Sequence, residues 1–267
     1  MRAALIPLLL LGIADVTHLD GDVTSVTPLK GLTTYERGGV TQRNAEAILK
    51  DMRQALGGEA ALDRVKSFSL ETTGWVSVQG RSVPIRDHYY FVLPDRYLRV
   101  RELRGASLRV FEGFKGDELI RRASHDGKRP GALAEGDRLT LARWRHDAAR
   151  FVFALLGTSL PTYPLTFSVI GQDQAAGIVY DVVEATADGA RMRLYVDSLT
   201  HLPAMVTTGG LERAPEIRWL LSKFKRTGPL NWPTQMEEQA EGLMSEEVTV
   251  RRWKINPATD AGTFDPR

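Results

Sequence analysis

The sequence predicts a mostly β protein of the α+β class. It reads as a single large antiparallel sheet of about eleven strands, curled on itself, with a few helices over its concave apolar face. Three observations lead there. A helix-period segment and a short helical turn come first, over residues 43–65. From Phe68 the apolar residues switch to a period of two and keep it through strand after strand. One long helical pattern, Asp137 to about Leu156, divides a first set of about four or five strands from a second set of about seven.

In chain order, "MRAALIPLLLLGIAD" has a charged start at Arg2, an apolar run from Ala3 to Ile13, and small residues Gly12 and Ala14. It reads as a secretory signal over 1–14, because a run of about eleven residues falls short of the ~20 needed to span a bilayer. Residues 15–42 are polar, Gly/Thr-rich and aperiodic, and read as a flexible leader. The folded domain is expected over 43–260, with a tail over 261–267.

Ala45, Ile48, Leu49, Met52 and Leu56 form one helical stripe, and Gly57-Gly58 stops it, since glycine tolerates a left-handed C-terminus. "EAALDRV" is a second short helical piece. The strands then begin with Phe68, Leu70 and Thr72 on one face. "YLRVREL" places Leu98 and Val100 on one face and Arg99 and Arg101 on the other, and the reading assigns the leucine and valine to the buried side. Turns are expected at Gly80, Pro94-Asp95, Gly105 and Asp126-Gly127. The long helix carries Leu141, Trp144, Ala148, Phe151, Val152 and Leu155 as its stripe, with Gly157 as its stop. Strands resume near 164–172, 175–186, 190–196, 203–210, 215–226, 231–240 and 245–255, with an Asp-Gly hairpin signal inside "ADGAR".

A flat sheet of that size presents a face of about 1,500 Å² at ~4.8 Å per strand. Three helical pieces, two of them short, cover about half of it. Large twisted sheets curl or split. The curled form puts the apolar face inside with the helices across its mouth, and leaves room for an apolar ligand. A two-sheet sandwich is the competing arrangement, but it has no need of amphipathic helices.

Composition narrows the function. The chain has 35 basic and 33 acidic residues, for a net charge of +2. No basic block of the kind nucleic-acid binding needs is present, and "RRASHDGKR" reads as a solvated hairpin tip. Without cysteine there is no disulfide, thiol chemistry or lipoprotein-type anchor, and no transmembrane segment is expected after signal cleavage. Nucleophile-elbow, HExxH, P-loop and GxGxxG patterns are missing, and the five histidines stand apart in sequence. No catalytic residue, metal site or cofactor is therefore expected, and the chain reads as a non-enzyme. Glu237-Glu238 and Glu246-Glu247 are each split across a strand and read as solvated strand ends. The candidate lining of an acyl-chain cavity is Trp75, Tyr90, Leu98, Val100, Phe111, Leu141, Trp144, Phe151, Leu155, Leu194 and Trp219.

The order of "ILKDMRQALGGEAALDRVKSFSLETTG", "FEGFKGDEL", "GIVYDVVEATADGARMRLYVDSLTHLPAMV" and "EEVTVRRWKINPATDAGTFDP" resembles the LolA-like outer-membrane lipoprotein carrier superfamily, in particular its outer-membrane lipoprotein-sorting type. The resemblance spans about residues 43–265. It implies a half-open β-barrel lidded by helices over an apolar cavity. It also implies a periplasmic, monomeric carrier or sensor whose partner is a lipid acyl chain or a lipidated protein, with an envelope protein as a further partner. No catalytic residue is implied. An envelope protein-interaction module with a filled core is the alternative. An enzyme using the same cavity is a third reading, with His146, Asp147 and Tyr90 as its candidate polar groups.

Overall fold

The computed structural model describes residues 44–126, 128, 131–132, 138–187, 189–209, 216–240, 243–260 and 262–265. The expected signal and leader lie outside the described residues, as do Gly127 and Asp188 of two expected turns. The chain opens with α1 (Ala45–Ala55) and α2 (Glu59–Leu62). Five longer strands follow: β1 (Ser67–Val78), β2 (Arg81–Val92), β3 (Arg96–Leu103), β4 (Leu108–Lys115) and β5 (Glu118–His125). After the two-residue β6 (Gly131–Ala132) comes α3 (Arg138–Leu156). The second half holds β7 (Thr166–Ala175), β8 (Ile178–Ala187), β9 (Ala190–Asp197), β10 (Pro203–Gly209), β11 (Ile217–Ser222), β12 (Lys225–Thr227), β13 (Leu230–Trp232), β14 (Gln235–Ala240) and β15 (Leu243–Ile255).

Thirteen strands form one sheet in the order β6-β5-β4-β3-β2-β1-β15-β14-β11-β10-β9-β8-β7, and β12-β13 make a separate ribbon. The sheet is antiparallel throughout and not closed into a barrel: β6 and β7 are its two edges. The sequence suggests fewer strands because it reads 215–226 and 231–240 as one strand each and does not include the short β6. Lys223 takes a left-handed φ of 53°, which ends β11 and sends the chain into the ribbon.

The sheet is strongly curved. Phe151 of α3 has its ring centroid 5.3 Å from Tyr89 and 5.3 Å from Phe91 on β2, and 4.4 Å from Trp219 on β11. In the sheet β2 and β11 are four strands apart, ~19 Å if flat. One ring reaches both only because the strands wrap around it. α3 runs through that concavity and meets β3 and β4 on one side and β9 and β10 on the other. From Ala148 to Leu156 every residue of α3 is buried, arginine included. The helix therefore serves as the centre of the core rather than as a cover over it.

α1 holds the end of α3. Arg53 donates from Nη1 to the Leu156 carbonyl at 2.6 Å, satisfying a C-terminal helix acceptor, and from Nη2 to Asp63 at 2.5 Å. Asn44 caps the start of α1 by accepting from the Ala47 N–H at 2.8 Å. Leu56 accepts from the Asn231 N–H, which ties the end of α1 to the ribbon. At Gly57 the φ is +134°, and an added Cβ would lie 2.5 Å from the Pro229 carbonyl oxygen. Gly57→Ala is thus expected to cost about 3 kcal/mol, against about 1 for Gly80→Ala, whose Cβ meets open space. Urea unfolding of the two variants checks this; equal midpoints would show that the α1–ribbon contact is not tight.

Candidate functional site

The alternation read along β2, β3 and β4 holds, but the faces are the reverse of those expected. Tyr97, Arg99, Arg101 and Leu103 point into the concavity, in register with Phe114, Glu112, Val110 and Leu108. Leu98, Val100 and Phe111 point outward and pack with Ile120, Tyr90 and Phe264. Phe264 follows the last strand and lies over this outer cluster, 3% exposed. Tyr90, Leu98, Val100 and Phe111 are therefore on the convex side, and Trp75 joins them there, donating its indole N–H to Glu247 at 3.2 Å. The physical reason is ion pairing: each inward charge meets an opposite inward charge, so the charged face is buried and the apolar face is covered by the chain's own end. Leu141, Trp144, Phe151, Leu155, Leu194 and Trp219 are on the inner side and share one core.

The inward charges form a connected site. Asp87, fully buried on β2, accepts from Arg101 Nε at 2.9 Å and Nη2 at 2.5 Å. The same Arg101 donates to Glu246 on β15 at 2.6 Å. Arg99 donates to Glu112 at 2.8 Å. From α3, Arg150 pairs with Asp147 at 2.5 Å and with Glu238 of β14 at 3.2 Å, and Asp147 accepts from the Tyr97 hydroxyl at 2.7 Å. Arg99 lies 4.9 Å over the Trp144 ring, and Arg150 lies 5.0 Å over Trp219. Glu238 and Glu246 stand opposite each other in the β14–β15 register, as do Glu237 and Glu247. Each Glu-Glu pair is split across the sheet as expected, but its inner member is ion-paired in the interior and not a solvated strand end.

Between these groups lies a cavity of about 20 Å³, lined by Tyr89, Arg99, Arg150, Trp219, Glu238 and Glu246 among others. That is about the room one water needs. The Nε atoms of Arg99 and Arg150 are buried without a hydrogen-bond partner among the described residues. An open groove of about 560 Å³ on the outside of α1 and α2 is lined by mixed charges, Lys50 and Arg64 with Asp51 and Glu59.

Burial shapes the titration of the site. Burial raises the Glu246 carboxyl, with Asp87 and Glu238 adding to it against the pull of Arg101. For Asp147 burial acts in the same direction but is outweighed by Arg150, the Tyr97 hydrogen bond and Arg99, so its pKa is lowered. His146, bonded at Nδ1 to the Tyr163 hydroxyl at 3.0 Å, is lowered to about 4 by burial and by Arg150. His146 and Asp147 do not converge with Tyr90, which is on the opposite face, bonded to His88.

A histidine with a lowered pKa is neutral in the fold, so the unfolded chain takes up the proton first. Stability linked to His146 is full above about pH 6.5 and is lost as pH falls towards the folded value of about 4. Between pH 7 and pH 5 the wild type is expected to lose about 2 kcal/mol relative to His146→Gln. Urea unfolding at the two pH values checks it; parallel losses in both proteins would show that His146 does not carry the effect.

No protein-family model matches the chain, and no curated protein matches it in sequence. Solved structures do. A DUF1329 family protein from Desulfovibrio piger aligns with TM-score 0.54 and 11% identity over 82% of this chain and 96% of the other. A LolA superfamily protein from Nitrosomonas europaea gives 0.53 and 12% over 82% and 97%. A domain of the outer membrane lipoprotein-sorting type from Vibrio parahaemolyticus gives 0.53 and 13% over 83% and 97%. The chain has the LolA-like fold. At these identities the likeness is one of architecture, and within that fold the space inside the curved sheet is taken up by α3. Among the described residues no helix is long and apolar enough to cross a membrane.

Proposed function

We propose that this LolA-like protein is a periplasmic binding protein, a carrier or sensor, whose acyl-chain site is the space that α3 occupies in this closed form. The observation that carries the reading is the way α3 is held. Its middle turn, Asp147–Arg150, meets the wall through a hydrogen bond from Tyr97 and an ion pair with Glu238, and the turn that follows, Phe151–Leu156, meets it through apolar packing. Buried ion pairs add little net stability over apolar contacts of equal volume. They are nonetheless suited to a surface that parts, because each charge regains water when the helix leaves. The apolar part behind them then has cause to take a chain, at ~25 cal/mol per Å² of apolar area covered. Leu194 and Trp219 on the wall, with Leu141, Trp144, Phe151 and Leu155 on the displaced helix, supply the lining. The lipoprotein-sorting type of one structural neighbour supports a lipid chain or a lipidated protein as ligand and the periplasm as location. The protein is read as a monomer and as a binder, not an enzyme.

One observation favours a second reading. The cavity between α3 and the wall has space for about one water, as expected of a protein-interaction module of the envelope with a permanently filled core. A fluorescent fatty acid separates the two. The carrier reading expects saturable uptake, and several-fold more of it in Arg150→Ala, which unlatches α3 from Glu238. Native mass spectrometry of protein purified from its own envelope should also show a bound lipid. No uptake by either protein, with folding verified by circular dichroism, would leave the filled-core module.

A further inference from the structure

When α3 moves away, the wall keeps some of its pairs and loses others. Asp87, Arg101 and Glu246 remain joined to one another, since all three are on strands, and so do Arg99 and Glu112. Inside the concavity the wall loses one bonded anion and one bonded cation, while Arg145 gives up Asp117 and the Gly116 carbonyl at the exposed β4–β5 turn. Asp147 vacates a place beside the Tyr97 hydroxyl, 2.7 Å away. Arg150 vacates a place 5.0 Å over the Trp219 ring and 3.2 Å from the Glu238 carboxylate. Asp147 and Arg150 are themselves one turn apart on the helix and paired at 2.5 Å. The helix thus offers the wall a compact zwitterion, with the apolar run Phe151–Leu156 directly behind it.

The vacated wall is complementary to that zwitterion. On the anion side stand Tyr97, 0% exposed, and Arg99, whose buried Nε is without a partner among the described residues. On the cation side stand a carboxylate and an indole face, a combination that holds ammonium groups well when partly desolvated. Immediately beyond lies the apolar surface of Leu194 and Val206. A free fatty acid would fill the apolar part but leave Glu238 facing a vacancy, and an unpaired buried carboxylate is costly.

We infer that the ligand which replaces α3 is an amphiphile with a zwitterionic headgroup, its phosphate at Tyr97 and Arg99 and its ammonium between Glu238 and Trp219. The Asp147–Arg150 pair is then an internal stand-in for that headgroup. The inference rests on the acyl-chain reading above and names the class of lipid within it.

Three probes with identical chains test it: dioctanoyl phosphatidylethanolamine, dioctanoyl phosphatidylglycerol and dioctanoylglycerol, each presented as monomers and followed by calorimetry and native mass spectrometry. The ethanolamine lipid is expected to bind about fivefold more tightly than the glycerol phospholipid, and dioctanoylglycerol least. Glu238→Gln should bring the two phospholipids level. Tyr97→Phe should narrow the gap between either phospholipid and dioctanoylglycerol. Both changes are close to isosteric, and the readout is a ratio, so a general loosening of α3 does not mimic the result. Equal binding of all three probes, unchanged in both variants, overturns the headgroup assignment and leaves acyl-chain binding standing. Binding of none overturns both.

Discussion

Burying charge on the concave side of a sheet obliges the fold to supply partners, and much of this architecture follows from that obligation. Asp87 is fully buried and satisfied by Arg101, which in turn needs Glu246 from the distant end of the chain. That pairing helps to hold β15 beside β1 and brings the two halves of the sheet together. Tyr97 takes the partner of its hydroxyl from α3, and Glu238, which accepts from Ser245 of β15 at one oxygen, takes a charged partner for the other from α3. The helix is thereby drawn into the concavity, and the sheet closes round Phe151. Removing one member of such a set costs about 3–5 kcal/mol, because it leaves a charge buried and alone.

The interior that results has two kinds of lining. Its ionic groups come from β2, β3, β4, β14 and β15, among aromatic side chains of the same strands; towards β8, β9 and β10 it is apolar, with Val183, Leu194, Val196 and Val206 all at 0% exposure. α3 carries both kinds of group as well, with Asp147 and Arg150 on its middle turn and Phe151–Leu156 after them. An interior built only for stability would gain by replacing the ionic half with packed hydrocarbon. Retaining it makes sense for a surface that exchanges one occupant for another, since polar groups set orientation and apolar area sets affinity. The arrangement unites two observations: the fold seen in a domain of the lipoprotein-sorting type, and a cavity beside α3 with room for about one water.

Much of the backbone was legible in the sequence, and much of the site was not. The helix stop at Gly57-Gly58, the strands of both halves and the helix ending at Gly157 follow from period and from turn chemistry, which are local. The inner and outer faces of β3 do not. Its alternation is plain, but which side is buried depends on whether Arg99 and Arg101 find acids across the sheet, and Glu246 is 145 residues away from Arg101. Reading β2, β3 and β4 together would have offered a signal: Asp87, Arg101, Arg99 and Glu112 fall in the same phase with opposite signs. Phe264 was hidden for a related reason, since nothing in an aperiodic tail shows that it covers an outer apolar cluster. On α3 the stripe was visible, but a stripe implies one buried face, and from Ala148 onward this helix is buried on all sides because the sheet wraps it.

Departure of α3 from the wall while the sheet stays folded can be read by native-state hydrogen exchange resolved along the chain. The amides of α3 are expected to exchange through a partial opening, at a lower free energy than those of β1 and β15, and Arg150→Ala is expected to lower both free energies by about the same amount, so that the gap between helix and strands persists. Exchange of α3 together with β1 and β15 in one global unfolding event, in the wild type and in Arg150→Ala alike, would contradict it.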